Sequence, residues 1–137
     1  MVGPYCVSGL DPHFAAFIAL FNKGQFYEAH DVLENLWLAD RHGSNGAFYK
    51  GLIQLAGAFV HVQKKRRGPS AALLKLAREN LAKYASPHEG LDLHAARQWI
   101  SRWLEDLQSP DFELASLEGN APQLTLILPP RHGEHRV

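Results

Sequence analysis

The chain has 137 residues, of which 46% are hydrophobic and 20% are charged. This size matches a single domain, and this composition excludes a disordered or low-complexity protein. Fourteen Lys and Arg residues balance fourteen Asp and Glu residues, which argues against a globally basic nucleic-acid-binding protein. The one cysteine, Cys6, excludes an intramolecular disulfide and a cysteine-based zinc site.

The sequence contains no targeting signal that we recognise. The N-terminal residues lack the basic segment and the long apolar core of a signal peptide. The longest apolar run, residues 55–60, is far shorter than the roughly 20 residues that a membrane-spanning helix needs. We therefore expect a soluble, cytoplasmic protein with no membrane association.

Two helices are predicted in the first 40 residues. Asp11 and Pro12 favour a helix start, because the carboxylate accepts a free backbone amide and proline fits the first helical position. Gly24 is suited to end this helix, and a second helix follows over residues 25–40. The polar side of the second helix, which we expect to face water, consists of Glu28, Asp31 and Asn35.

The third helix, predicted over residues 47–65, is apolar on most of its circumference. A helix of this kind is typical of the centre of a bundle. Its one polar strip consists of Lys50, Gln54, Gly57 and His61.

Two further helices are predicted after the third. Pro69 opens the fourth helix, which extends to about Tyr84, and Asp92 caps the fifth. Residues 123–128 form a short extended run that we expect to lie over the bundle. We thus predict an all-α fold, a compact bundle of about five helices built from two antiparallel hairpins that turn at Gly24 and Gly68. The predicted divisions are a leader over residues 1–10, the bundle over 11–108 and an extended tail over 109–137, packed on the bundle or trailing from it.

A polar face of the second helix carries the residues of greatest chemical interest. His30 and Glu34 are four positions apart, so they share one face of the helix. They lie on the stripe Tyr27, His30, Glu34 and Trp37, which borders the apolar side of the helix.

A matching face is predicted on the third helix. Gln54 and His61 are two helical turns apart, with Gly57 between them. A glycine allows a neighbouring backbone to come close. If the second helix packs over Gly57, then the His and Glu of that helix meet these side chains as a buried cluster.

Such a cluster would suit several functions. In a small hydrolase-like enzyme, His30 would act as the base and Glu34 would orient it, while Gln54 and His61 would polarise the substrate. His30, Glu34 and His61 are also an alternative ligand set for Zn²⁺ or Fe(II). The residues could equally satisfy only one another, as buried polar groups often do in helical bundles. We predict no bound metal and no cofactor.

The same residues carry a resemblance to a known family. Residues 21–37 contain Glu-Ala-His, a glutamate four residues after the histidine and a tryptophan three residues further on; residues 51–58 read Gly-Leu-Ile-Gln-Leu-Ala-Gly-Ala, and His61 follows. This pattern resembles the family known as domain of unknown function 309 (DUF309), over about residues 14–84. The resemblance implies a compact all-α bundle and brings no activity with it. Its signature falls on His30, Glu34, Trp37 and Gln54.

A basic segment follows the third helix. Residues 64–84 contain seven cations and one anion, and four of the cations are consecutive. They would form an anion patch or a weak RNA-binding site. We favour a solvated helix end, because no aromatic residue is interleaved with these charges to stack on bases. The four residues are Lys64, Lys65, Arg66 and Arg67.

The sequence therefore favours a soluble binding or interaction module over an enzyme. The partner is an unknown small molecule or protein, nucleic acid is an unlikely ligand, and the protein is expected to be a monomer or a homodimer. The two alternatives are a hydrolase-like or metal-dependent enzyme that uses His30 and Glu34, and an RNA- or anion-binding protein that uses residues 64–67.

Overall fold

The computed structural model describes residues 10–109 and 121–127 of the chain. Five helices account for most of these residues, and each helix packs on the next one along the chain. This arrangement confirms the predicted all-α bundle. The helices are α1 (Pro12–Asn22), α2 (Phe26–Asp40), α3 (Gly46–Gln63), α4 (Arg67–Leu81) and α5 (Leu93–Gln108).

Two of the helix starts are capped as the sequence predicted. The Oδ1 atom of Asp11 accepts a hydrogen bond from the amide of His13 at 2.7 Å. Asp92 does the same for Ala95 at 3.0 Å. Each carboxylate satisfies a backbone amide that has no partner inside the helix.

The centre of the core lies around α3, as its nearly continuous apolar surface predicts. Phe59 is fully buried, and its ring contacts those of Phe26 in α2 and Trp103 in α5, at centroid distances of 5.4 Å and 5.1 Å. Phe21 of α1 also packs edge-on against Phe59, at 6.1 Å. Helices from both sides of α3 therefore share one hydrophobic core.

The two predicted turn glycines behave differently. Gly24 has φ +79°, the left-handed conformation expected of a glycine that ends α1. Between α3 and α4 this conformation falls on Lys65, with φ +59°, and Gly68 lies inside α4. The prediction that Gly68 forms the turn is therefore wrong. α4 begins before Pro69 because proline is tolerated anywhere in the first helical turn, where its missing amide hydrogen has no helical partner.

Residues 121–127 are extended and lie against the end of α1 and the loop before α5, which confirms the extended run predicted over residues 123–128 as far as residue 127. The side chain of Asn22 donates to the carbonyl of Leu124 at 2.9 Å and accepts from its amide at 2.7 Å. Leu126 makes an isolated antiparallel bridge to Leu91 in the loop before α5. Residues 1–9, 110–120 and 128–137 lie outside the described residues, so the proposed leader and most of the tail remain predictions.

Within the described parts of the chain, no helix has both the length and the apolar character needed to cross a membrane.

Candidate functional site

The half-buried strip of α3 lies between α2 and α4. We call Lys50, Gln54, Gly57 and His61 the α3 strip; all four are half-buried, whereas most other α3 residues are buried. On one side of the strip, Lys50 Nζ lies 4.4 Å from the ring centroid of Trp37 in α2. On the other side, Asn80 of α4 donates a hydrogen bond to Gln54 Oε1 at 2.8 Å.

The neighbour of Gly57 is α4 and not α2. A Cβ atom built on Gly57 would lie 3.3 Å from Leu73 Cδ1 of α4. The predicted approach of α2 to Gly57 is therefore wrong. The reason is rotational: α2 packs on the side of α3 that carries Phe59, while Gln54 and Gly57 turn toward α4.

The predicted buried cluster is consequently not assembled. Glu34 is exposed, and His30 is half-buried with its Nδ1 atom 3.4 Å from Oδ1 of the adjacent Asp31. Within residues 10–109 and 121–127, no hydrogen bond joins either side chain to Gln54 or His61. The catalytic roles proposed for His30 and Glu34 stay predictions. The buried network of His, Glu and Gln that would have supported them is not formed.

The other two residues of the predicted α2 stripe diverge in their exposure. Tyr27 is 65% exposed and lies at the surface. Trp37 is half-buried beneath Lys50, in a geometry that favours a cation–π interaction. The stripe is thus the edge of a surface rather than the lining of an interior cavity.

A different group of potential metal ligands forms on α2. His30, Asp31 and Glu34 each offer one ligand atom, and these atoms lie within 4.8 Å of one another. The predicted set that included His61 is therefore wrong, because His61 does not belong to this group. Sequence periodicity missed Asp31 because it assigned this residue to the water-facing side. The side chain is exposed as expected, yet it contacts its neighbour His30.

His61 occupies the end of the α3 strip nearest the basic turn. Its Nδ1 atom is buried and has no hydrogen-bond partner in the described residues. Burial lowers the pKa of His61 below its usual value, and the nearby charges of Arg66 and Lys64 lower it further. His61 therefore stays neutral at a lower pH than a free histidine.

The basic segment separates into two parts. Lys64, Lys65 and Arg66 are exposed in the turn between α3 and α4, as expected of a solvated helix end. Arg67 is half-buried, and its Nη1 atom donates to the carbonyls of Leu107 and Ser109, each at 2.7 Å. The prediction that Arg67 contributes to an anion patch is wrong, because its guanidinium group holds the C-terminal end of α5.

A polar network at the opposite end of α3 was not predicted. The Tyr84 hydroxyl accepts from the amide of Phe48 at 3.0 Å and donates to the carbonyl of Ser44 at 2.8 Å. The Oδ1 atom of Asn45 lies 2.7 Å from the Nε2 atom of His88. These bonds join loops that are about 40 positions apart, so no local pattern in the sequence indicates them. Because these bonds tie the start of α3 to the segment that follows α4, the network is suited to holding the bundle together.

The family comparison covers the first part of the bundle. Residues 14–73 match the model of the family described as domain of unknown function (DUF309). The predicted resemblance to DUF309 is confirmed. The DUF309 match covers α1, α2, α3 and the first half of α4, and it ends at Leu73 rather than at the predicted Tyr84. No curated protein matches the chain.

The DUF309 match includes most of the candidate residues. His30, Glu34 and the whole α3 strip fall within it, whereas Asn80 and α5 fall outside. The surface between α2 and α4 is therefore built largely from residues that match the DUF309 model.

Proposed function

We propose that this protein is a non-catalytic interaction module whose partner binds the surface formed by the exposed edge of α2, the α3 strip and the exposed edge of α4. We call this surface the binding face. The observation that carries the proposal is the half-exposed strip on α3. Most other residues of this helix are buried at the centre of the core, and a purely structural central helix has no need of Lys50 and His61 at a surface.

Exposed apolar side chains support the proposal. Four large hydrophobic residues are exposed in the described parts of the chain, and three of them lie on α2 or α4. Tyr27 and Leu38 are 65% and 52% exposed, and Leu76 is 44% exposed. Exposed apolar side chains bordered by charged ones are typical of protein interaction sites.

A stability comparison distinguishes a binding face from a structural network. We expect His30→Ala and Glu34→Ala each to change the free energy of unfolding by no more than about 0.5 kcal/mol, because neither side chain holds another element in place. As a control, Leu33→Ala removes a fully buried side chain of the same helix and should cost about 2–5 kcal/mol. Chemical denaturation measures all three. A loss of several kcal/mol in either polar variant would instead assign the residue to the framework of the fold.

Binding is tested with the full chain immobilised and exposed to cell extract. Leu38→Asp and Leu76→Asp should each reduce the recovery of the proteins that the unmodified chain retains, because each places a charge on the binding face. Ile127→Asp is the matched control, since Ile127 is 46% exposed and lies beside Gly90 in the loop before α5 rather than on α2 or α4. If all three variants retain the same proteins in the same amounts, the binding face is not where partners bind.

A second candidate function is divalent cation binding at His30, Asp31 and Glu34. The mutual proximity of their ligand atoms, within 4.8 Å, favours it. Titration calorimetry with Zn²⁺ on protein that lacks a histidine tag should show a site that is weakened at least about tenfold by His30→Ala and by Asp31→Asn. His42→Ala, which removes an exposed histidine outside this group, is the control. Equal Zn²⁺ affinity in all variants would show that these three residues do not form the cation site.

A further inference from the structure

Three exposed cations lie at one end of the α3 strip. Lys64, Lys65 and Arg66 form the turn after α3, and we call them the basic turn. The amide of Arg66 donates to the carbonyl of His61 at 2.8 Å, so the basic turn folds back onto the last residues of α3. Burial and then the charges of Arg66 and Lys64 lower the pKa of His61, which places both cations close to the end of the strip.

No carboxylate of the described residues forms an ion pair with the basic turn. Three carboxylates share this end of the bundle, but they lie on α2 and α5: Glu28, Glu105 and Asp106. The first turn of α4 directly follows the basic turn and contains no acidic residue, although acidic residues are favoured there. The positive charge of the basic turn therefore faces solvent, where it attracts an anionic ligand.

An exposed aromatic side chain lies at the same end of the bundle. The side chain of Gln63 donates to the carbonyl of Gly24 at 3.0 Å, which holds the turn before α2 against the end of α3. Tyr27 is in the first turn of α2 and is 65% exposed. It belongs to the α2 stripe that ends at Trp37, whose ring contacts Lys50 of the α3 strip. Tyr27 is therefore on the edge of α2 that borders the strip.

Cations beside an exposed aromatic ring suit single-stranded nucleic acid, because the phosphates pair with the cations while an unstacked base packs on the ring. The sequence argued against base stacking, since no aromatic residue is interleaved with the cations, but the fold supplies Tyr27 from a different helix. A duplex is a poorer match because its bases already stack on one another. A lipid surface is also a poorer match, since no large aliphatic side chain is exposed in the basic turn or in the first turns of α2 and α4.

We infer that the basic turn and Tyr27 form a binding site for single-stranded nucleic acid. The phosphates contact Lys64, Lys65 and Arg66, and a base stacks on Tyr27. The strand crosses the end of the α3 strip between α2 and α4. This site adjoins the binding face through Tyr27, and it does not depend on a protein partner there.

The anisotropy of a labelled uridylate strand of about eight nucleotides measures binding to the full chain. The logarithm of the association constant should fall with the logarithm of the salt concentration at a slope of about −2, because about three cations contact phosphates. Lys64→Ala/Arg66→Ala should weaken binding at least about tenfold and bring the slope toward about −0.7. The matched control is Lys75→Ala/Lys83→Ala, which removes the same charge from exposed positions in the middle of α4 and after its end. It should change binding by less than about twofold.

The aromatic contact is tested separately. Tyr27→Ala should weaken binding at least about fivefold, whereas Tyr27→Phe retains the ring and should bind as the unmodified chain does. A thymidylate DNA strand of the same length distinguishes RNA from DNA as the source of the ligand. Binding of either strand supports the inference.

Four results would overturn it. The first is that neither strand binds at about 0.1 mM protein and about 50 mM salt. The second is a duplex bound as tightly as the single strand, or an equal loss in both double variants, because either would reduce the interaction to unspecific charge attraction. The third is full binding by Tyr27→Ala. The fourth is association with vesicles that contain phosphatidylserine but with neither strand, which would assign the basic turn to a lipid surface.

Discussion

Replacing Arg67 by alanine should lower the free energy of unfolding by about 2–3 kcal/mol, because a charged donor would be lost from two carbonyl groups. These carbonyls, of Leu107 and Ser109, belong to the last turn of α5 and the residue after it, and each lies 2.7 Å from Arg67 Nη1. Without the guanidinium group, the partly buried end of α5 has unsatisfied acceptors. Denaturant titration followed by circular dichroism measures the loss.

Arg66→Ala is the control for this prediction. Arg66 is adjacent in sequence and carries the same charge, but it is exposed. Its removal should change stability by less than about 0.5 kcal/mol. Equal and small effects for the two variants would show that the contact between α4 and α5 does not depend on Arg67. Arg67 would then belong with the other basic residues as part of the solvated turn.

The change Tyr84→Phe should cost about 1–3 kcal/mol, because it leaves the Phe48 amide without its acceptor near the start of α3. The N-cap residue Asn45 makes no side-chain capping bond to a backbone amide of α3, so the hydroxyl of Tyr84, just after the end of α4, takes this place. The aromatic ring is retained, so its packing against Phe48 at 5.5 Å is unaffected. The measured loss therefore reports the hydroxyl alone.

Tyr27→Phe removes the same hydroxyl from a side chain that is 65% exposed. We expect no more than about 0.5 kcal/mol from this control. Hydrogen exchange adds a local measurement: the amide of Phe48 should lose protection in Tyr84→Phe and keep it in Tyr27→Phe. Unchanged protection at Phe48 in both variants would contradict the proposed cap.

The helices were predictable because their signals are local. Asp11 and Asp92 lie directly before the helices they cap, and the apolar residues of α3 repeat at helical spacing. The errors lie at the turn between α3 and α4. Gly68 was the natural choice for a left-handed turn, yet Lys65 adopts that conformation and the helix begins before Pro69. A proline in the first turn does not fix the helix start to within one residue.

For the candidate site, the sequence predicted which residues share one face of a helix but not which faces of neighbouring helices meet. Periodicity placed His30 and Glu34 on one stripe of α2 and Gln54 and Gly57 on one strip of α3, and both assignments hold. It could not determine the rotation of α3 between its neighbours, which turns Gln54 toward Asn80. That rotation is set by packing of large side chains such as Phe59, and it is invisible in the sequence of either helix alone.

The two hydrogen bonds between Asn22 and Leu124 join positions that are 102 residues apart in the chain. The contacts between neighbouring helices join residues that are much closer together in the sequence. During synthesis, α1 to α4 can therefore assemble while the later segment is still being made, since closure of a long loop follows contacts of low sequence separation. The end of α1 therefore gains its bonds to Leu124 after the four helices have formed, and the start of α5 gains its bonds to residues 125–127 at the same stage.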